Sequence, residues 1–580
     1  MALQLKTWRK NWSLMSSLFD SEEIELIKGR LMKIKPKNIL YCSFENRFAR
    51  SGGLAAVTIN ILPYLQEAGK SINAYLLTPF YSNIIDQKKL KSTDKSCTVP
   101  FDGQNIDVEI YTNKVEYERP AKEQLDEYYI KAAGFFEARN SLNDPYIHEG
   151  CEPHQNANEI TRDSLFYCAA APYVLKELNI RSNVVFHLQE WQTALISLTA
   201  KESMLQGILE SCGTVQTMHN PYDSFISLES LSKIADNKRI SKMASISDNG
   251  MTAYQIGLQL VDGPVDTVSE NFAKEFTTDI LHTEHFAPHL QPIFNTNGVY
   301  GIANGMFISF SPEFPQKEKH TRDEIWVVKS RNRKSLLEVL KSYNPPQRFG
   351  ELTYKGGPIT KLPENIPIFV MSGRLDPVQK GYDIFLRAVE KFEKDKIKVV
   401  VTPMPVRQSD LDIFHEAAEK CNGNLTVFPI RMEKGFRELQ TGSTYGMMPS
   451  VYEPFGAAVE YMANGTVNIA RATGGLVDQI ENNKSGLLYR ENNIFYTADS
   501  IRQFSDSQND VVLRKDMPWV QSMVDELYEI MVYAITLYQN DRNKYLDIIR
   551  NGFKKAASFT WDKNVKDHLG MYKKISNGFV

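Results

Sequence analysis

Short apolar runs recur along this chain, each closed by a glycine, proline or polar loop and followed by apolar positions spaced three to four residues apart. Residues 38–42 (NILYC) predict a buried strand, Ser51-Gly52-Gly53 its loop, and 54–69 the following helix. The unit returns at 74–77 before Thr78-Pro79, 184–187 before Trp191, 213–218 before His219-Asn220, and 266–269 before another helical pattern. Apolar strands alternating with helices predict a parallel, doubly wound α/β sheet.

The alternation lapses over 311–365, which carries a charged helical stretch at 332–342 and the patches Pro345-Pro346 and Gly356-Gly357-Pro358. It restarts with IPIFVMSG (366–373), KVVVTPM (398–404) and LTVFPI (425–430), and ends in helical patterns at 521–555 and 561–575. The predicted division is a helical extension at 1–36, a Rossmann-like domain at 37–310, a linker at 311–365, a second Rossmann-like domain at 366–555, and a C-terminal helix in 556–580. Within the extension, Asp20 and Glu23 of DSEEIELIKGRL stand in capping-box spacing.

A length of 580 residues exceeds one ordinary core, so two domains facing a cleft are expected. A net charge of −3 offers no general attraction to nucleic acid or an anionic membrane, so any phosphate site must be local. The six cysteines are scattered without metal-ligand spacing, which fits a reducing compartment and predicts neither a zinc site nor a disulfide framework. Lys6, Arg9 and Lys10 precede no apolar stretch, and no run of eighteen apolar residues occurs; a cytoplasmic location is expected.

Ligands of open α/β sheets bind beyond the carboxyl ends of strands, where the candidate chemistry lies. Arg50, Gly52 and Gly53 of RSGGL could hold a diphosphate or close over a donor, although a solvated glycine turn has the same sequence. Arg374 and Lys380 in SGRLDPVQKGYD are placed to stabilise a departing diphosphate. In the window 448–479, Glu453 can accept hydrogen bonds from sugar hydroxyls, and the amides of Phe455 and Gly456 can donate to them. Thr473, Gly474 and Gly475, before a helical pattern, offer amides to phosphate. Glu460, seven residues on, need not face the same site: it reads as an acid–base partner of Glu453 or as an ordinary exposed helix glutamate, and Glu453 carries the greater weight. His187, in FHLQEWQTAL beside Glu190 and Trp191, and His219, in TMHNPYD, each read as structural or as site residues.

These segments in order resemble the glycogen and bacterial starch synthase family. RSGGLAAV is similar to its KTGGLGDV, FHLQEWQTAL to HAHDWHTGL, TMHN to TIHN, VDTVSENFAKEF to TTVSPTYAREI, and IANGMF to ILNGID. KSRNRKSL resembles KxxNKxxL, SGRLDPVQKG resembles SRLTxQKG, PSVYEPFG resembles PSRFEPCG, and RATGGL resembles RRTGGL. The resemblance implies a GT-B fold, two Rossmann-like domains facing an interdomain cleft, with the C-terminal helix crossing back to the first. It implies retaining transfer of glucose from a nucleotide-glucose, ADP-glucose favoured, to the non-reducing end of an α-1,4-glucan. No metal or other cofactor is required. It assigns Arg374 and Lys380 to the diphosphate, Glu453 with Phe455 and Gly456 to the glucose, Thr473, Gly474 and Gly475 to phosphate, and Arg50, Gly52 and Gly53 to closure from the first domain.

The chain departs from the family pattern in places. Arg50 replaces a lysine, Phe455 a cysteine, and Arg374 and Lys380 have one extra residue between them. Gln189 and Gln192 stand where the motif often has histidines, so His187 inherits part of that role. Two alternatives therefore stay open: a related transferase using a small sugar acceptor, sucrose synthase-like or trehalose-forming, and a weakly active or inactive glucan-binding or initiation factor.

Overall fold

The computed structural model describes residues 8–577 except 70, 85–86, 88, 118–122, 139–142, 149, 315–319, 343–358, 377–378, 405–410, 422, 429–431, 433–434 and 508–509. Two sheets organise it. The first has nine strands in the order Tyr300–Gly301, Val265–Thr267, Cys212–Met218, Val184–Gln189, Asn38–Cys42, Asn73–Pro79, Glu123–Ala132, Gln104–Tyr117 and Lys91–Phe101. Its pairings are parallel as far as Glu123–Ala132, and the last two strands run antiparallel. That antiparallel edge was not expected from the sequence. Its outermost strand, KSTDKSCTVPF, exposes alternate polar positions, and so lacks the two-sided apolar signal of the buried strands.

The second sheet is wholly parallel, with six strands in the order Leu425–Val427, Lys398–Met404, Ile368–Arg374, Tyr445–Met448, Val467–Arg471 and Leu487–Tyr489.

A helix that precedes residue 366 packs against the domain built on this second sheet. Helix Arg322–Ser342 lies within the expected linker, yet it packs on this domain: the buried Lys329 ammonium donates to the carbonyls of Thr441 at 2.6 Å and Ser443 at 2.8 Å. A Cβ on Gly442 would stand 2.7 Å from the Asn332 carbonyl, so the helix needs a glycine to come this close. The Pro345-Pro346 and Gly356-Gly357-Pro358 patches lie outside the described residues.

The described segments near both ends of the chain pack on the first domain. Helix Ser21–Leu31 carries the capping box formed by Asp20 and Glu23, and Lys10 reaches the buried Asp262 carboxylate at 3.0 Å. The C-terminal region forms helices Pro518–Asn540 and Arg542–Ala556, separated at Asp541, whose carboxylate accepts from the Lys544 amide at 3.1 Å. Helix Trp561–Tyr572 then lies on the first domain, with the Trp561 indole donating to the Met306 carbonyl and the Asn564 amide to that of Ala303, both at 3.0 Å.

Candidate active site

Local backbone geometry brings Lys380 to Glu453. Gly381 caps helix Tyr382–Glu390 at φ +68°, and a Cβ there would stand 2.3 Å from the Pro449 carbonyl, so the turn carrying Lys380 presses on the segment before Glu453. The Val451 amide donates to the Gln379 carbonyl at 2.8 Å and fixes the register of the two loops. Lys380 Nζ consequently donates to Glu453 Oε2 at 2.7 Å and Oε1 at 3.0 Å, and Ser450 Oγ adds a hydrogen bond to Oε2 at 2.8 Å. Glu453 is buried, whereas the Lys380 side chain keeps 25% of its surface exposed.

Arg374 closes its strand with its guanidinium 3.1 Å from Asp376 and 3.1 Å from Gln379 Oε1. Burial opposes its charge, but Asp376, Tyr222, Tyr452 and Glu45 together push its pKa up, so it stays a cation. Glu45 and Tyr222 belong to the first domain, and the Tyr222 and Tyr452 hydroxyls hydrogen-bond across the cleft. Arg374 thus faces the loops of both domains. Gly456, at φ +84°, lies against Glu453; a Cβ would meet Glu453 Cγ and Met448 Cε at 2.9 Å. Phe455 is buried, its ring against Phe307 and Phe559.

On the first domain the glycine loop is filled by its own carboxylate. Glu45 Oε2 accepts from the amides of Ser51 at 3.2 Å, Gly52 at 3.1 Å and Ala55 at 3.2 Å. The Gly52 amide therefore serves the loop itself, in place of a ligand phosphate. Arg50 is exposed, with Nε on the Arg47 carbonyl at 2.8 Å, and Gly53 starts helix Gly53–Glu67 at an exposed position.

Four sequence expectations change. His187 is fully buried, its Nε2 2.7 Å from Thr217 Oγ1 and its Nδ1 2.8 Å from the Tyr572 hydroxyl; burial holds its pKa well below the usual histidine value. It joins the sheet to the C-terminal helix. With Asp266 and His568 it forms a cluster of metal-type ligands, but these atoms already hydrogen-bond to Thr217, Tyr572, Asn564 and one another. His219 is also buried, bonded to Gln189 Oε1 at 2.7 Å, its pKa pushed down to about 3 by burial and then by His568. Gln189 Oε1 accepts from Tyr41 as well at 2.8 Å, while Gln189 Nε2 and Gln192 Oε1 are buried without partners among the described residues.

Glu460 is buried rather than exposed. Its Oε1 accepts from the Phe307 amide at 3.3 Å, its Oε2 has no partner among the described residues, and burial pushes its pKa up to about 7. The amides of Thr473, Gly474 and Gly475 are all in use, donating respectively to the Arg471 carbonyl, the Glu275 carboxylate and the Glu453 carbonyl. The turn is thus consumed by protein contacts because Glu275, on helix Glu270–Thr278 of the first domain, inserts into it.

Sequence reasoning gave no role to Glu45, Glu275 or Glu190, the last named only as a neighbour of His187. Glu275 lay in the quoted segment VDTVSENFAKEF, and Glu45 five residues before Arg50. Glu190 occupies an unusual conformation for a side-chain-bearing residue, φ +62°; burial pushes its pKa up to about 8 against hydrogen bonds from Tyr254 and Asn220.

Residues 38–291 match the family model described as the starch synthase catalytic domain, and residues 358–517 the one described as glycosyl transferases group 1. The glycogen synthase of Petrotoga mobilis is 25% identical over 549 residues, covering 92% of this chain and 98% of that protein. That of Thermotoga maritima is 22% identical over 551 residues, with 92% and 98% covered. Among solved structures, the catalytic domain of starch synthase IV from Arabidopsis thaliana superposes with a TM-score of 0.67 at 17% identity, covering 93% of this chain and 99% of that one. The N-terminal domain of Candida albicans trehalose-6-phosphate phosphatase gives 0.52 at 11% identity, with 94% and 98% covered. The paired domain matches and the end-to-end glycogen synthase relatives show a glycogen/starch synthase-like glycosyltransferase, and the superposition shows that its fold is GT-B.

Proposed function

We propose that the chain transfers glucose, with retention, from a nucleotide-glucose to the non-reducing end of an α-1,4-glucan in the cytoplasm. The Lys380–Glu453 pair beside Arg374 is the observation that carries this reading. It sets two cations and one carboxylate at the carboxyl ends of the second sheet, as departure of a nucleoside diphosphate from a sugar requires. Arg374 and Lys380 stabilise the departing diphosphate, Glu453 and the Phe455 and Gly456 amides hold the glucose, and Arg50 and Gly53 approach from the first domain. Attack occurs on the face the diphosphate leaves, and the leaving phosphate helps take the acceptor proton. The two cations supply the charge stabilisation otherwise provided by a metal, so we assign none to the reaction. The Arabidopsis starch synthase IV structure is bound to ADP and acarbose, which favours ADP-glucose as donor here.

The buried Gln189 supports a second reading, a weakly active or inactive glucan-binding or initiation factor, because it stands at a motif histidine position with an Nε2 that has no partner among the described residues. A radiolabel assay with ADP-glucose, UDP-glucose and glycogen separates the two. Chain elongation supports the synthase; glucan binding with neither elongation nor donor hydrolysis supports the factor, and products on small sugars would indicate a different transferase.

A further inference from the structure

Glu275 grips the TGG turn from the other domain. Both of its carboxylate oxygens accept from the Gly474 amide, at 2.8 and 2.9 Å. Asn271, one helical turn earlier, donates from Nδ2 to Glu275 Oε1 at 2.7 Å and to the Gly474 carbonyl at 3.0 Å, so the two side chains hold adjoining peptide groups of one glycine. The Asn271 amide donates to Asp478 at 2.8 Å, and Ser269 Oγ to the Pro454 carbonyl at 2.8 Å. Gly474 sits at φ +50°, and a Cβ there would fall 1.9 Å from the Glu453 carbonyl oxygen. The next amide, Gly475, donates to that oxygen at 2.8 Å. The backbone on either side of the Glu453–Pro454 peptide is therefore held by the turn and directly by the first domain.

We propose that Glu275, with Asn271 and Ser269, is an interdomain clasp that positions Glu453, and that the Gly474 and Gly475 amides hold this clasp and the Glu453 carbonyl rather than the donor phosphates. The proposal deepens the glucosyltransferase reading and rests on it for the role of Glu453. Hydrogen bonds from a backbone amide to carboxyl oxygens are directional, which suits them to fixing a turn, and the Gly474 bond works against the burial that pushes the Glu275 pKa up to about 7. Releasing the turn would let the Glu453 carboxylate drift, and a displacement of about 1 Å at a reacting centre costs roughly a hundredfold in rate.

The test compares Glu275→Ala and Glu275→Gln with the wild-type chain. The clasp predicts that Glu275→Ala lowers kcat by about ten- to a hundredfold with the donor KM little changed, because Arg374 and Lys380 are untouched. It predicts recovery of most of that loss in Glu275→Gln, whose amide oxygen still accepts from Gly474. Calorimetric ADP affinity should be equal in the two variants and the wild type, and amide hydrogen exchange across 453–478 should rise in Glu275→Ala alone. Tighter ADP binding in Glu275→Ala would overturn the proposal, since freed amides would then be binding phosphate; so would unchanged kcat or unchanged exchange. If the wild-type chain shows no transfer at all, the glucosyltransferase reading fails, while ADP affinity and exchange still decide whether the clasp exists.

Discussion

Replacing Lys380 with alanine removes a cation that the structure ties to Glu453 by contacts of 2.7 and 3.0 Å. Two separable consequences follow. In the transition state a diphosphate loses one of its two cationic partners, and deleting one such donor costs about a hundred- to a thousandfold in kcat, about 2.7–4 kcal/mol. In the resting protein Glu453, 4% exposed, then keeps only the Ser450 hydroxyl among the side chains of the described residues that bond it. Losing the charged partner costs about 1–3 kcal/mol of stability, toward the lower end because Lys380 is itself partly solvated. The assay is incorporation of radiolabelled glucose from ADP-glucose into glycogen at saturating donor, read beside thermal unfolding and glucan affinity. Glucan binding should be preserved, because Lys380 belongs to the donor side. A variant transferring glucose within threefold of wild type would remove Lys380 from the mechanism.

The buried Glu460, its pKa raised to about 7, makes the folded state bind more protons than the unfolded one between the ordinary glutamate value and about 7; its favourable contribution is present below that window and lost as pH rises through it. Glu460→Gln should therefore raise the melting temperature at pH 8 relative to wild type by more than at pH 5, and an equal shift at both pH values would contradict the assignment. His187→Ala should destabilise the chain by about 2–4 kcal/mol through two lost hydrogen bonds and a cavity. Its folded fraction should retain kcat within severalfold, whereas loss of turnover in a fully folded variant would restore His187 to the active site. Exhaustive chelation should leave glucose transfer unchanged; a loss reversed by adding a divalent cation would show that Arg374 and Lys380 do not suffice.

Much of this architecture was legible in the chain because its central strands carry continuous apolar runs, such as NILYC and VVFHLQ, closed by glycine or polar loops. The edge hairpin escaped notice because a strand with one solvated face alternates in polarity, and helix Arg322–Ser342 was read only over 332–342 because a charged surface hid the stripe containing Ile325 and Leu336. At the site, Lys380 and Glu453 were readable as residue types at strand ends, but their contact depends on the positive φ of Gly381 against Pro449. The fate of the glycine amides was not local information. Gly52 and Gly474 look alike in sequence, each in a glycine pair before a helical pattern, and each amide meets a glutamate, one from its own loop and one from the opposite domain. His187 and Glu460 misled for the converse reason: a strand-end histidine and a helix glutamate carry no sequence mark of how deeply the C-terminal helix and the Phe307 loop cover them.

The central claim is tested most directly by incubating the purified chain with ADP-[14C]glucose and glycogen and digesting the product with an exo-acting α-1,4-glucosidase. The account predicts label incorporated into the glucan and released as glucose from non-reducing ends, with Lys380→Ala and Glu453→Ala reducing incorporation at least a hundredfold, about 2.7 kcal/mol. Glucan that remains unlabelled with both ADP-glucose and UDP-glucose, without donor hydrolysis, would contradict it.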